Sequence, residues 1–164
     1  MSTQTPAPRA VSIDPRGPRF TAYVTGLVLA VVLLTAPSGF ATALLGVQAA
    51  LFAVGAALGV QHTPLAWLFR TVVRPRLAAP DWLEDAAPPR FAQAVGLGFA
   101  LVGLVGFLVG VDLLGLVATG LALVAALLNA VFGLCLGCEM YLLIRRVSAG
   151  PAVGDRDLPV VTTN

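Results

Sequence analysis

The chain has 164 residues, of which 58% are hydrophobic and 11% are charged, and its formal net charge is +2. A typical soluble domain carries about 25% charged residues, so this composition excludes an ordinary soluble enzyme and indicates a membrane protein. All of the positive side chains are arginines that flank apolar stretches. We therefore expect them to contact the anionic headgroups of a lipid bilayer and expect no nucleic-acid partner.

Four long apolar stretches predict an all-α membrane protein with four transmembrane helices in two hairpins. The predicted spans are 20–36, 40–60, 91–111 and 113–144, and with the loop 61–90 they make one membrane domain, 20–146. The flanking segments 1–19 and 147–164 are predicted to be disordered. A signal peptide ending near Ala41-Thr42-Ala43 is the alternative for the first span, but the long cationic leader favours a retained helix.

The distribution of the arginines predicts how the chain is threaded through the bilayer. They occur before the first span, in the middle loop and after the fourth span: Arg9, Arg16, Arg19, Arg70, Arg74, Arg76, Arg90, Arg145, Arg146 and Arg156. The two other connections, at 37–39 and around Asp112, contain no basic residue. Because arginines near membrane segments are retained in the cytoplasm, we expect a bacterial inner-membrane protein with both termini in the cytoplasm.

The middle loop contains a predicted amphipathic helix and an acidic cluster. Thr63-Pro64 is a typical helix start, because threonine caps the first turn and proline fits it. Apolar residues follow at helical spacing until Arg74-Pro75 ends the helix, which suits a helix on the inner leaflet. These apolar residues are Leu65, Leu68, Phe69 and Val72. The cluster of Asp81, Glu84 and Asp85 is either solvated charge or a docking patch for a cytoplasmic partner.

A weak repeat links the two hairpins, because Pro18-Arg19-Phe20 opens the first and Pro89-Arg90-Phe91 opens the second. Two spans per unit preserve orientation, so the repeat would be parallel, about an axis along the membrane normal. Glycines four residues apart allow close helix packing, either within the chain or across a homodimer: Gly55/Gly59, Gly106/Gly110 and Gly133/Gly137. The buried amides of Gln48 and Asn129 predict interhelical hydrogen bonds or, alternatively, a polar transport path.

The segment 129–146, NAVFGLCLGCEMYLLIRR, contains both cysteines of the chain. On a continuous helix, the thiols of Cys135 and Cys138 point to one side and can form a disulfide with local adjustment, and Glu139 shares the face of Cys135. Facing the cytoplasm, the cysteines should be reduced thiols by default. Glu139 either moves a proton to or from a thiol or pairs with an arginine, because an unpaired carboxylate near a membrane is costly.

Three interpretations of the cysteine pair remain open at this stage. The pair is a thiol-redox or sulfur-transfer dithiol, a metal site, or simply two small side chains packed in a glycine-rich helix. A zinc site would need a second chain, since one chain supplies two cysteines and the single His62. We expect no metal and no cofactor. Because recognised enzyme motifs are absent, the sequence leaves open whether the protein is an enzyme.

Three stretches of the chain resemble the bacterial membrane family catalogued as domain of unknown function 4395. They are LFRTVVRPRL, LEDAAPPRFAQAVGL and LLNAVFGLCLGCEMYLLIRR, and the likeness extends from Asp14 to Arg146. The family has no established activity. The resemblance implies a small multi-span membrane protein, common in actinobacteria and often encoded beside thioredoxin-like proteins and thiosulfate sulfurtransferases.

The leading hypothesis is a thiol-redox or sulfur-relay protein in which Cys135 and Cys138 react with a thioredoxin-like or sulfurtransferase partner. Glu139 would handle the proton. The first alternative is a carrier or channel for a small sulfur-containing anion, with Gln48 and Asn129 lining its path. The second alternative is a non-catalytic scaffold that recruits soluble proteins through the middle loop.

Overall fold

The computed structural model describes residues 11–80 and 82–148, and most of these residues are helical. In chain order the helices are α1 (Arg16–Thr35), α2 (Gly39–Leu58), α3 (Pro64–Leu68), α4 (Ala87–Leu108), α5 (Asp112–Leu127) and α6 (Leu136–Ser148). A π-helical turn, Leu128–Phe132, extends α5. Helices α1, α2, α4 and extended α5 are long and apolar enough to cross a membrane. The predicted fold class, all-α with four such helices, is confirmed.

The four long helices form a ring in which each contacts two others. Helices α1 and α2 pair within one hairpin and α4 and α5 within the other, while α2 packs on α4 and α1 packs on α5. The core between them consists of Leu29, Val32, Ala41, Leu45, Ala49, Phe52, Ala100 and Ala122. Gln48 is only 2% exposed, and its Nε2 donates a hydrogen bond to Oγ1 of Thr25 at 3.4 Å. The predicted interhelical hydrogen bond of Gln48 is therefore present.

Glycines at the helix crossings allow backbones to approach closely within the chain. A Cβ placed on Gly106 would lie 2.6 Å from the backbone nitrogen of Gly115, and one on Gly55 would lie 2.8 Å from Cγ of Gln93. Small residues at helix contacts let neighbouring backbones gain dispersion energy. The glycine spacing thus serves packing between helices of one chain, whereas a homodimer across such faces stays a prediction.

The Pro-Arg-Phe repeat has a structural counterpart, because each repeated arginine caps a helix of the other hairpin. Nε of Arg90 donates to the carbonyl oxygen of Ala56 at 2.8 Å and its Nη2 donates to that of Ala57 at 2.7 Å, at the end of α2. Arg19 does the same at the end of α5, where its Nη2 donates to the carbonyl oxygens of Ala130 and Val131, both at 3.3 Å. Guanidinium groups stabilise helix C-termini because the last carbonyls are unpaired and partly negative.

The two hairpins also correspond in the segments that follow their long helices. Gly59 ends α2 with a φ of 99° and Gly133 ends the α5 extension with a φ of 71°, a backbone region that glycine adopts without strain. A shorter helix follows each glycine, and an aromatic contact fastens it to the first helix of its own hairpin. Phe20 packs on Phe69 and Phe91 packs on Tyr141, each with a centroid separation of 5.8 Å. These reciprocal contacts support a repeat of two helix-hairpin-helix units.

Replacing Arg90 with methionine should lower the free energy of unfolding by about 1–2 kcal/mol, because two carbonyls at the end of α2 lose a charged donor. The stem of the side chain and its packing are retained in this variant. Thermal unfolding in detergent would measure the change. Arg146→Met is the matched control, since Arg146 is exposed and has no hydrogen-bond partner among the described residues. Equal losses in both variants would contradict the capping role.

The segment before α1 is ordered from residue 11, although the sequence predicted disorder through residue 19. A short antiparallel ladder pairs β1 (Ser12–Ile13) with β2 (Glu84–Asp85). Next to this ladder, Asp14 accepts hydrogen bonds from Arg16 at 2.9 and 3.0 Å, and this side-chain hydrogen bond lowers the pKa of the Asp14 carboxyl. Because the folded pKa is depressed, the stabilisation is lost as pH falls through it. Residues 1–10, 149–164 and Asp81 lie outside the described residues.

The amphipathic helix predicted in the middle loop is present. Oγ1 of Thr63 accepts a hydrogen bond from the backbone N–H of Ala66 at 3.1 Å, so threonine caps α3 as expected. Helical turns continue past α3 to Arg76, two residues beyond the predicted end, and Phe69 is buried at 3% exposure. Nδ1 of His62 donates a hydrogen bond to the carbonyl oxygen of Leu58, 2.8 Å away, which places His62 at the end of α2.

Candidate functional site

The apolar stretch predicted as a single fourth span, 113–144, is broken at Gly133. This residue is left-handed, and the N–H groups of Gly133 and Leu134 turn back to the carbonyl oxygens of Asn129 and Leu128, at 3.0 and 3.2 Å. These bonds close the end of the extended α5 in the manner of a glycine C-cap. The candidate span therefore ends at Phe132, and the cysteines lie beyond it rather than within a continuous helix.

Cys135 caps the N-terminus of α6. Its Sγ accepts a hydrogen bond from the backbone N–H of Cys138 at 3.3 Å, and its carbonyl oxygen accepts one from the N–H of Glu139 at 3.0 Å. A capping side chain satisfies one of the free N–H groups in the first helical turn. After reduction, the same N–H group and the positive end of the helix can stabilise a thiolate on Cys135.

Cys135 and Cys138 form a disulfide in the structure, with their Cα atoms 5.2 Å apart. The sequence analysis expected reduced thiols in this position. The spacing alone permits the bond, because residues three apart in a helical turn already lie within the Cα separation that a disulfide requires. Both cysteines are half-buried, so this sulfur pair is accessible from one side of the site.

Glu139 is exposed beside the disulfide. Within residues 11–80 and 82–148, no arginine lies within ion-pair distance of its carboxylate. Of its two predicted roles, pairing with an arginine is therefore not seen, and proton transfer stays a prediction. Arg145 lies instead along Tyr141, with Cζ 6.0 Å from the ring centroid.

A cavity of about 700 Å³ lies against the disulfide. It is bounded by the N-terminal halves of α1 and α4, the C-terminal part of α5 with its extension, and the first turns of α6. Most of its lining is apolar or small, including Ala122, Ala125, Val95 and Phe99. A concave, mostly apolar space of this size with a few polar groups is typical of a small-molecule site.

Several polar and charged side chains also line this cavity. Asn129, Gln93 and Thr21 line it together with both cysteines and with three acidic residues, Glu84, Asp85 and Glu139. Arg19 also lines the cavity, but its guanidinium is bound to the helix-end carbonyls. Gln48 does not line it. The polar path that the sequence suggested through Gln48 and Asn129 is thus not formed by the two side chains together.

A second cavity of about 310 Å³ lies beside the start of α1 and the helical turns of the middle loop. It is lined by residues of α1 and α3 and of the turn between α2 and α3, among them Gln61, Thr63 and Phe69. Its lining contains no cysteine. The two cavities therefore differ in chemistry, and the larger cavity is the one beside the disulfide.

Where the structure describes the chain, it contains no cluster of three His, Cys, Asp or Glu side chains that could hold a metal ion. The sequence analysis did not single out Gln93 or Thr21, and it assigned Arg19 to lipid headgroups. The Pro-Arg-Phe repeat was the only sequence pattern that drew attention to Arg19. Thr21 and Gln93 meet at the cavity only through the tertiary arrangement of α1 and α4, which no local pattern shows.

Comparison with curated proteins and with solved structures found no similar protein in either set. The model of one family matches residues 13–146, which is most of the chain and includes the cysteine pair and the cavity. The chain therefore belongs to the family described as Domain of unknown function (DUF4395).

Proposed function

We propose that this protein is a thiol-redox component of the bacterial inner membrane that exchanges its Cys135–Cys138 disulfide with a thioredoxin-like protein. The observation that carries the proposal is the disulfide at the N-terminus of α6, half-buried on the wall of an open cavity. Cys135 also caps the first turn of α6, and both cysteines line the cavity, so the pair does more than fill space in a packed helix.

The exchange follows from the geometry of the cap. A thiolate of the partner attacks Sγ of Cys135, the Cys135–Cys138 bond breaks, and Cys138 leaves as a thiolate. The second partner thiolate then attacks the mixed disulfide, so the partner is oxidised and this chain is reduced by two electrons. In the reverse direction, Cys135 is the nucleophile because the N–H of Cys138 stabilises its thiolate, and Cys138 resolves the mixed disulfide.

The distribution of charge supports an orientation in which this chemistry occurs on the cytoplasmic side. The starts of α1 and α4 and the ends of α2 and α5 lie at one end of the bundle, together with α6. Among the described residues, that end carries the arginines, and the connections at the other end carry none. By the positive-inside bias, this arginine-rich end faces the cytoplasm, where thioredoxin-like or sulfurtransferase proteins would reach the disulfide.

Carriage of a small sulfur-containing anion is less well supported. Three acidic residues line the cavity, and the one arginine in its lining, Arg19, already binds backbone carbonyls. An anion would be repelled by these carboxylates. Gln48 is bonded to Thr25 within the core, so it offers no step of an anion path.

A trapping experiment with two single-cysteine variants tests the exchange. Each full-length variant, Cys138→Ser or Cys135→Ser, is incubated in detergent with a thioredoxin that has one cysteine activated by thionitrobenzoate. The thiolate attacks the thioredoxin sulfur and releases coloured thionitrobenzoate. A hydrogen bond of about 1.4 kcal/mol raises the thiolate fraction tenfold, and the lower basicity offsets part of this gain. We expect Cys138→Ser to react about threefold faster.

Each variant serves as the matched control for the other, because the two differ only in which sulfur is present. Peptide mapping should place the mixed disulfide on Cys135. Equal rates would contradict the role of the cap. Failure of both variants to react, together with an intact disulfide in wild-type protein under excess reduced thioredoxin, would overturn the proposed function.

A further inference from the structure

We infer that the cavity beside the disulfide binds a lipid-soluble quinone, which reoxidises the reduced Cys135–Cys138 pair. The inference rests on the proposed function and extends it, because it names the chemical class that accepts the electrons. It follows from four properties of the site: the extent of the cavity along the helices, its side toward lipid, the unbonded amides in its lining, and the presence of a disulfide beside them.

The cavity is long and runs along the helices. Its lining extends from Cys135 and Gly133 at the arginine-rich end to Leu121 and Phe99 within the bundle. The segment from Leu121 to Phe132 corresponds to about 16 Å at 1.5 Å per residue, or about half of the ~30 Å hydrocarbon core. A ligand with a head near the disulfide and an apolar tail toward mid-membrane matches these dimensions.

The cavity also extends to the lipid-facing surface of α5. Leu121 and Val124 line it, and they are 53% and 54% exposed at the surface of the bundle. Side chains that both line a cavity and face outward mark its lateral edge. In a bilayer this edge contacts acyl chains, so a ligand dissolved in the membrane could enter without passing through water.

The wall near the disulfide offers hydrogen bonds to a neutral ligand. Asn129 and Gln93 line the cavity, and within the described residues their side-chain amides have no hydrogen-bond partner. An amide N–H group can donate to each carbonyl oxygen of a quinone ring. The acidic residues in the lining disfavour an anion, whereas a quinone carries no net charge and is not repelled by them.

The redox step balances without any other reactant. The Cys135 and Cys138 thiols give up two electrons and two protons, and one sulfur–sulfur bond forms. The quinone takes both electrons and both protons, so its two carbonyl groups become the hydroxyl groups of a quinol. Glu139 lines the same cavity and is placed to receive a thiol proton and pass it on. The quinol leaves through the lipid-facing edge.

The test uses full-length protein in lipid nanodiscs, reduced and freed of reductant, with decylubiquinone as the probe. Every ring position of this quinone is substituted, so thiols cannot add to it irreversibly. We expect one quinone to be reduced for each two thiols lost, measured by quinone absorbance and by mass spectrometry after maleimide labelling. The Cys135→Ser/Cys138→Ser double variant should reduce none.

A cavity-filling variant localises the reaction. Ala125→Phe places a ring in the cavity and should slow quinone-dependent oxidation about tenfold, which corresponds to about 1.4 kcal/mol. Ala94→Phe is the matched control, because Ala94 is exposed on α4 and does not line the cavity. Both variants should exchange with thioredoxin at the wild-type rate, which also shows that α6 and the cysteines are intact.

The outcomes separate this inference from the proposed function. Normal exchange with thioredoxin but no oxidation by decylubiquinone in wild-type protein would overturn the quinone inference alone. Oxidation that is slowed equally by Ala125→Phe and Ala94→Phe would overturn the assignment to this cavity. Loss of thioredoxin exchange in wild-type protein would instead overturn the function on which the inference rests.

Discussion

Replacing Gly106 with valine should lower the free energy of unfolding by about 1–3 kcal/mol, the range for overpacking a close-packed interior. The added Cβ would lie 2.6 Å from the backbone nitrogen of Gly115 and 3.0 Å from its Cα. Backbone atoms cannot rotate away as a side chain can, so α4 and α5 must separate. This crossing holds the second hairpin together at the end opposite the disulfide.

Thermal unfolding in detergent measures this effect, and Gly98→Val on the same helix is its control. A Cβ on Gly98 has no neighbour within 4 Å, so that variant changes helix propensity without a clash. We expect the midpoint to fall for Gly106→Val and to change little for Gly98→Val. A similar midpoint for the two variants would show that α4 and α5 do not pack as described.

Replacing Gly137 with leucine should detach α6 from α4 and expose the disulfide. A Cβ on Gly137 would lie 2.6 Å from both Cα and Cβ of Ala92, so α6 has no room for a side chain at this position. The expected loss is again about 1–3 kcal/mol, but it is localised at the site. Reduction of the disulfide by dithiothreitol should be faster than in wild-type protein, because both cysteines are half-buried.

The rate of disulfide reduction, followed by maleimide labelling and mass spectrometry, checks this expectation. Leu143→Ala is the comparison variant, since Leu143 is on α6 but 62% exposed and its removal should leave the rate unchanged. If Gly137→Leu reduces no faster than wild type, the contact between α6 and α4 does not cover the sulfur pair.

Hydropathy and the arginine pattern were sufficient to predict the helical class, the number of long helices and the cap of α3 by Thr63. They were insufficient at the end of the fourth span, because the apolar residues continue to Ile144 without interruption. The break at Gly133 depends on a left-handed backbone and on carbonyls bound by Arg19 from another helix. Glycine is common within membrane helices, so its presence alone gives no signal of a break.

The site was predictable only in part, because nothing in the sequence indicated the helix break at Gly133. The spacing of Cys135 and Cys138 drew attention to the correct segment, but a continuous helix was the assumed setting. In the structure Cys135 is a cap rather than a helical residue, and this changes the groups that can stabilise a thiolate. The cavity arises where helices distant in sequence diverge, so no local pattern could reveal it.

The reciprocal capping by Arg19 and Arg90 has a consequence for the history of the chain. If each unit supplies the arginine that completes its neighbour, an ancestral polypeptide with one unit would have needed a second copy to close its helix ends. Fusion of two such copies would then free one of them to change independently. The acquisition of cysteines in only one half is the kind of divergence that such a fusion permits.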